Sequence, residues 1–466
     1  MAERYQKIEF KDFSGGGLQQ YLENDNQFLT SLNTELDINT KKVKIAVDFD
    51  TKDIGANPLS DVYVEFGGSL AFIGCDFNTG HYWLYSQSNN NAIASEYDFD
   101  SHGIVFDEAP IGGQVFNNYF FFQAQVGGVF KYYKSLALAS GWAPFTGLPT
   151  DQYLRKSIIV NNTITLFFDN CVYQSTDLAN FTKLCDISTN FYLTDAEFYN
   201  GFFYQVLYPY KSTLRWLTRI ENGQIILQKK FTRLYQIETV GDYLAILTEN
   251  MTLPNAIEKT RLIIFDGESY AEKCQFTYTP EFKGKYRENL IIKTYNTNLS
   301  NATPEILFLT KDLAILNFFN GDPNYDIYHF VDVMGILYGV SIEKTIGETS
   351  RIYNTYNQKF RLTANVETSV IDKGEIAPKQ LIVKHRPLVA NTNVKVYKKD
   401  DFTSNYTLVL TSSTVGAVKA KYTYPAGAKF DFSQFKIELN TTDPTVAPSD
   451  VRLDFLYLPI GLENSK

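Results

Sequence analysis

The chain is 466 residues long with a formal net charge of -9, and aromatic residues make up 15% of it, including 32 Tyr and 36 Phe. That length supplies two or three domains with a sizeable core, while the acid excess excludes a nucleic-acid footprint at the level of the whole chain. Only 3 Met and few long charged runs, beside abundant Tyr, Phe, Thr and Ile, point away from a helical protein and toward half-buried pleated surfaces.

Residues 1–42 read as a distinct leader and docking arm. Ile8, Phe10 and Phe13 alternate with polar residues before Ser14-Gly15-Gly16-Gly17 breaks the run. The stretch Leu18 to Leu32 predicts a short helix, with Leu22, Phe28, Leu29 and Leu32 partly on one side. Met1 to Phe10 is charged and lacks the apolar stretch of a signal peptide. No apolar run approaches the roughly 18–20 residues that span a bilayer, so the expectation is a protein made and soluble in a cytoplasm.

A strand predicted at Val43 to Val47 opens a repeating region over 43–355. Tight turns centre on Gly67-Gly68, Asn117-Asn118, Asn161-Asn162, Asn200-Gly201, Gly241-Asp242 and Lys311-Asp312, each between apolar runs. Four intervals are 50, 44, 39 and 41 residues; the fifth, 70, hides an irregular unit. Asn and Gly tolerate the positive φ that two-residue hairpins need, which makes Phe198 to Tyr204 around Asn200-Gly201 the clearest hairpin. A further strand follows most turns: Leu84-Tyr85-Ser86, Tyr133-Lys134-Ser135, Tyr173-Gln174-Ser175, Trp216-Leu217-Thr218 and Ile264-Phe265-Asp266. Four strands in a period of about 40–45 residues make a propeller blade. The prediction is an all-β fold: a β-propeller of seven blades, with six as the alternative, followed by a β-sandwich over 356–466. The sandwich strands include Leu381-Ile382-Val383, Val394-Lys395-Val396, Leu408-Val409-Leu410, Phe435 to Leu439 and Leu453 to Tyr457.

Chemistry-bearing motifs are sparse. Ser135 with Trp142, and Ser175 with Asp177, keep parts of the Ser-x-Asp-x-Gly-x-Thr-Trp hairpin of sialidase-like propellers, whose role is to brace a turn. The acidic runs Asp48-Phe49-Asp50-Thr51-Lys52-Asp53 and Asp98-Phe99-Asp100 hold oxygens suited to calcium, yet lack the full calcium-loop pattern and read as solvated turns. His81, His102, His329 and His385 have no partner at metal-ligand spacing. No GxSxG elbow, P-loop or dinucleotide fingerprint occurs. Cys75, Cys171, Cys185 and Cys274 lack CxxC spacing and read as reduced, buried thiols. His81-Tyr82-Trp83 and Tyr208-Pro209-Tyr210 are candidate sugar-stacking platforms, although most rings are expected between blades. Catalytic, cofactor and metal sites are therefore all expected to be absent.

Two segments resemble virion β-propeller proteins of tailed bacteriophages, of the neck, tail and tail-tip type. In the leader, Phe10, Asp12-Phe13-Ser14-Gly15-Gly16, Leu22, Asp25-Asn26-Gln27 and Leu32-Asn33 stand in that family's order. Gly17 and the missing Asn-Thr after it depart from the pattern, as does the absent Gly-x-hydrophobic-Arg-x-Gly continuation. In the carboxy-terminal part, Asp372-Lys373-Gly374, Pro378-Lys379, His385-Arg386-Pro387-Leu388 and Val394-Lys395-Val396-Tyr397 follow the family's order more loosely. Together the segments cover about a third of the chain.

The resemblance implies a non-enzymatic structural component of the virion, assembled in the host cytoplasm. It would dock in multiple copies onto other virion proteins of the tail, neck or portal region, as a homo-oligomeric ring. Phe10, Asp12, Phe13, Ser14, Gly15 and Gly16 are the implied docking residues. No cofactor is implied. A propeller binding a host glycan or receptor is the alternative, and a sialidase-like glycosidase is a further one.

Overall fold

The computed structural model describes residues 6–459 apart from 11–27, 33, 37–42, 47–48, 55, 58–59, 61, 77–78, 90–91, 251–258, 277–279, 297–302, 345–349 and 402–404. The described chain is almost wholly β, with one 3-10 turn at Asp100–His102. Among the described residues no helix is long and apolar enough to cross a membrane. Two compact units divide the chain: residues 50–304 with 321–356, and residues 1–49 with 305–320 and 357–466.

Seven antiparallel sheets form a β-propeller. Their innermost strands are Tyr63–Phe66, Ile111–Phe116, Leu154–Val160, Phe191–Tyr199, Arg233–Val240, Glu281–Tyr286 and Tyr325–Val333. Each innermost strand neighbours the next, and the seventh neighbours the first, so the ring is closed. The first blade carries a fifth short strand, Ala56–Asn57, paired to the far end of Ser69–Asp76. The outermost strand of the seventh blade is Asp50–Ile54, paired with Ser350–Asn354. The blade is thus completed by residues some 300 positions earlier, a latch that removes the free edges an open sheet would present.

The period is more regular than residue types suggested. Lys311-Asp312 joins the third and fourth strands of blade six rather than its first two. The equivalent innermost turns are Arg287-Glu288 and Met334-Gly335, placed 46 residues after Gly241 and 47 after Arg287. Both turns use a left-handed residue with a full side chain, Arg287 at φ 55° and Met334 at φ 51°. L-residues rarely adopt that region, and so composition did not mark them.

Aromatic side chains fill the spaces between blades. Phe120 and Phe122 of blade two are fully buried against Phe99 and Trp142, with ring centroids 5.2–5.5 Å apart for Phe99–Phe122, Phe120–Trp142 and Phe122–Trp142. Truncating a buried Phe of this kind costs about 3–5 kcal/mol. The four cysteines are free thiols; Cys171 and Cys185 lie on adjacent strands but pair with Asp186 and Val172 respectively.

In the other unit, nine strands share one hydrogen-bonded sheet system. Gln6–Phe10 pairs with Arg452–Pro459, and Phe28–Leu32 pairs with Thr363–Thr368. The helix expected over Leu18 to Leu32 is not formed where it is described: Phe28–Leu32 is a strand, because a ready-made edge at Thr363–Thr368 outweighs a short, ambiguous apolar pattern. The strand at Val43 does not open the propeller; Val43–Ile45 forms a hairpin with Thr34–Leu36. Within this unit Asn317 donates its backbone N–H to Ser31 Oγ at 3.0 Å. Phe435 and Phe455 pack at 5.1 Å from strands that do not pair with one another.

Candidate functional site in the axial cavity

The innermost strands of a propeller leave one row of N–H and C=O groups unpaired along the axis, and buried polar backbone must find partners. Here side chains supply them across blade boundaries. Asp195 Oδ2 accepts from Ile237 N at 2.9 Å, Gln236 Oε1 from Phe282 N at 2.7 Å, and Gln123 Oε1 from Leu154 N at 2.8 Å. Asp332 braces both of the strained turns, accepting from Arg287 N at 3.1 Å and from Gly335 N at 2.8 Å.

Those strands line a solvent-open cavity of about 640 Å³ to which all seven blades contribute. Its polar lining includes Glu65, Gln114, Lys156, Ser157, Glu197, Glu238, Lys285, His329 and Asp332. A continuous ionic chain crosses blades three to six. Lys156 Nζ lies 3.3 Å from Asp195 Oδ1 and 2.7 Å from Glu238 Oε1. Lys285 Nζ lies 3.0 Å from Glu238 Oε2 and donates to Thr239 Oγ1 at 2.8 Å, while Thr239 Oγ1 donates to Glu197 Oε1 at 3.2 Å.

The three carboxyl groups are not equivalent. Burial, then the neighbouring Glu238 carboxylate, pushes Glu197 up to about 8, so it carries a proton at neutral pH. Burial also acts on Glu238, but Lys156 and Lys285 outweigh it and hold that carboxyl well below its usual range. Burial raises Asp195 against the opposing pull of Lys156. Lys156 itself is raised, because Asp195 and Glu238 together overcome the burial penalty. The His329 imidazole is lowered to about 4 by burial and by Lys283 and Lys156, so it is neutral in ordinary buffers.

Linear spacing missed this network because its members are spread over the innermost strands of four successive blades. A signal was nonetheless present. Glu65, Glu197, Glu238, Lys285 and Asp332 each precede their blade's innermost turn by two or three residues, so aligning the repeats on their turns stacks the charges in one layer.

The motifs singled out in sequence fall elsewhere. Ser175 Oγ accepts from Asp177 N and Leu178 N at 3.2 and 3.0 Å, and Asp177 Oδ1 accepts from Ala179 N and Asn180 N at 2.9 and 2.8 Å. Ser135 Oγ donates to Ser140 O at 2.6 Å and Trp142 is buried. Both hairpins brace turns. Asp53 pairs with Arg351 at 2.9 Å on the latch strand, and Asp48 lies outside the described residues. Tyr82 packs on Phe106 at 5.4 Å, whereas Tyr192 and Tyr210 meet at 4.1 Å with their rings tilted by 45° and both exposed.

His81, unpartnered by sequence spacing, is brought to Asp98 and Asp100, with one ligand atom of each within 4.8 Å of the others. Their atoms are already engaged: His81 Nδ1 lies 3.3 Å from Asp98 Oδ2, Ser101 N donates to Asp98 Oδ1 at 3.1 Å, and Tyr82 N donates to Asp100 Oδ2 at 2.8 Å. His385 is a satisfied core residue, with Ser412 Oγ at 2.9 Å from Nε2 and Arg386 O at 2.8 Å from Nδ1.

Of the six leader residues expected to dock a partner, Phe10 is completely buried in its own sheet, where it holds the fold and is withheld from partners. Asp12, Phe13, Ser14, Gly15 and Gly16 lie outside the described residues.

No family model matches the chain, and no curated protein matches it. Among solved structures it is similar to YCF48 bound to D1 peptide, at 10% identity and a TM-score of 0.42 over 66% of this chain and 95% of that one. It is also similar to an exo-beta-1,3-galactanase from Phanerochaete chrysosporium, at 10% identity and 0.30 over 74% and 95%. A luciferin-regenerating enzyme matches at 9% identity and 0.36 over 53% and 90%. Likenesses this distant carry no argument about function.

Proposed function

We propose that the protein is a non-enzymatic structural component of a tailed-bacteriophage virion, docking in several copies onto other proteins of the tail or neck. One observation carries the reading: the two remote segments that resemble such proteins belong to one physical unit. Gln6–Phe10 and Phe28–Leu32 of the leader pair with Arg452–Pro459 and Thr363–Thr368, and Arg452–Pro459 in turn pairs with Ile371–Lys384, which holds the Asp372 to Lys379 motif. Phe10 and Leu32 of the leader motif thus stand in strands of the same sheet system as the Asp372 to Lys379 segment, which supports a common architecture better than shared order alone.

The same pairings support a two-layer sandwich. Ile371–Lys384 pairs at its start with Phe430–Thr441 and at its end with Lys419–Thr423 and Arg452–Pro459, as a strand does when it turns the corner between two sheets. In the axial cavity, Glu238 is held in ion pairs on both sides, which suits a fixed scaffold better than a base free to take a proton. The closed ring leaves its loops free to vary on a rigid frame, as a docking protein requires.

Mass spectrometry and negative-stain imaging of particles from the phage that encodes this chain test the reading. Several copies per particle, with matching density at the neck or tail, are expected. A purified protein that stays monomeric and is absent from particles would overturn it.

A further inference from the structure

We propose that the axial cavity is a binding site for a neutral, hydroxyl-rich ligand of mono- or disaccharide size. Its volume of about 640 Å³ lies within the range of roughly 300–1,000 Å³ typical of small-molecule sites. Every blade contributes to its wall, so it is a property of the closed ring and not of one loop.

Charge decides the ligand class. Both ammonium groups in the lining are already matched, Lys156 by Asp195 and Glu238, and Lys285 by Glu238. A phosphate or sulfate would find no free cation there and would face Glu65, Glu238 and Asp332. A divalent cation would meet Lys156 and Lys285. What the wall offers instead is uncharged hydrogen-bonding capacity of both signs: the Gln114 side-chain NH2, the Ser157 hydroxyl and the His329 imidazole, while the Glu197 carboxyl is hydrogen-bonded to Glu238. The His329 ring lies 5.6 Å from Tyr63 and nearly parallel to it, at 20°, which fixes its orientation; its nitrogens make no hydrogen bond among the described residues. An uncharged imidazole held in place with both nitrogens unused is a donor and an acceptor waiting for hydroxyl groups.

Glu197 makes the site sensitive to alkali. It is faced by Lys156 from blade three, Glu238 from blade five and Lys285 from blade six, with Asp195 on its own strand. Once it loses its proton the cavity gains one more carboxylate beside Glu65, Glu238 and Asp332, and the hydrogen bond from Glu197 to Glu238 is lost.

Saturation-transfer NMR with glucose, galactose, N-acetylglucosamine and lactose on the full chain, with thermal melting as the fold control, tests the proposal. At least one sugar is expected to bind near neutral pH, about five- to tenfold more weakly in His329→Ala, the effect of one uncharged hydrogen bond. Glu197→Gln, which cannot ionise, is expected to show the same affinity in alkali as it has at neutral pH, while the native chain loses about tenfold or more above pH 9. This second variant keeps the test decisive if His329→Ala does not fold. Absence of transfer from all four sugars would overturn the proposal. So would transfer undiminished in His329→Ala, which places the sugar on the outer surface, or a melting shift with calcium or phosphate but none with sugar.

Discussion

Glu197 gives the molecule a measurable pH signature. Its native value of about 8 stands above the ordinary 4.5, so between those limits the folded protein holds a proton that the unfolded chain has released. Stability is therefore fully supported below about pH 4.5 and falls as pH rises through 8. Glu197→Gln carries no titrating proton and is expected to flatten that decline, read by denaturant titration at about pH 5, 6.5 and 8. Equal slopes in both proteins would exclude Glu197 as the group responsible. Gly284 illustrates a steric demand at the same wall: its φ is 128°, and a Cβ there would sit 2.3 Å from Phe330 O of the next blade. Gly284→Ala is expected to cost more than 3 kcal/mol, against about 1 kcal/mol for Gly335→Ala, where nothing lies within 4 Å. Thermal melts of the two variants make the comparison. Neither residue's role was visible in sequence, because the close approach depends on which blade lies alongside.

At the scale of single strands and turns, local chemistry was informative only where a residue type reports its own backbone. Asn117-Asn118, Asn161-Asn162 and Asn200-Gly201 all have positive φ and were found by that preference. Arg287 and Met334 adopt the same conformation against their own preference; Asp332 braces the Met334-Gly335 turn within its own hairpin and the Arg287 turn from the neighbouring blade, a contact no local reading detects. The latch strand was hidden for a related reason: Asp50–Ile54 reads as an acidic run, and its partner lies at Ser350–Asn354. Arg351 secures it, at 2.9 Å from Asp53, 3.2 Å from Asp322 and 4.0 Å over the Tyr325 ring. Arg351→Ala is expected to lower stability by about 1–3 kcal/mol and to speed amide exchange in Asp50–Ile54. Asp53 is mostly exposed, and Asp53→Ala should stay within about 0.5 kcal/mol. Hydrogen-exchange mass spectrometry separates the two, and similar losses in both would place the latch's strength in the ion pair itself.

For the molecule as a whole, the propeller was legible because its period repeats, and the carboxy-terminal strands of the other unit because they alternate, but the leader's share of that sheet was not, because its strands come from the opposite end of the chain. Tyr457 donates to Gln6 Oε1 at 2.8 Å across 451 positions, a pairing no periodicity encodes. Removing residues 1–32 takes away two strands together with the buried Ile8 and Phe10, and leaves the edges of Arg452–Pro459 and Thr363–Thr368 bare. The truncated chain is expected to aggregate, as unpaired edges do. Light scattering after size exclusion checks it; a monodisperse, normally melting product would make the leader a dispensable appendage. The latch also sets a timetable for biosynthesis. Asp50–Ile54 leaves the ribosome roughly 300 residues before Ser350–Asn354, which at about 5–20 residues per second is a wait of roughly 15–60 s. Throughout that interval the nascent chain carries a strand with no mate, so the yield of folded ring depends on that strand staying unpaired with other edges until translation nears its end.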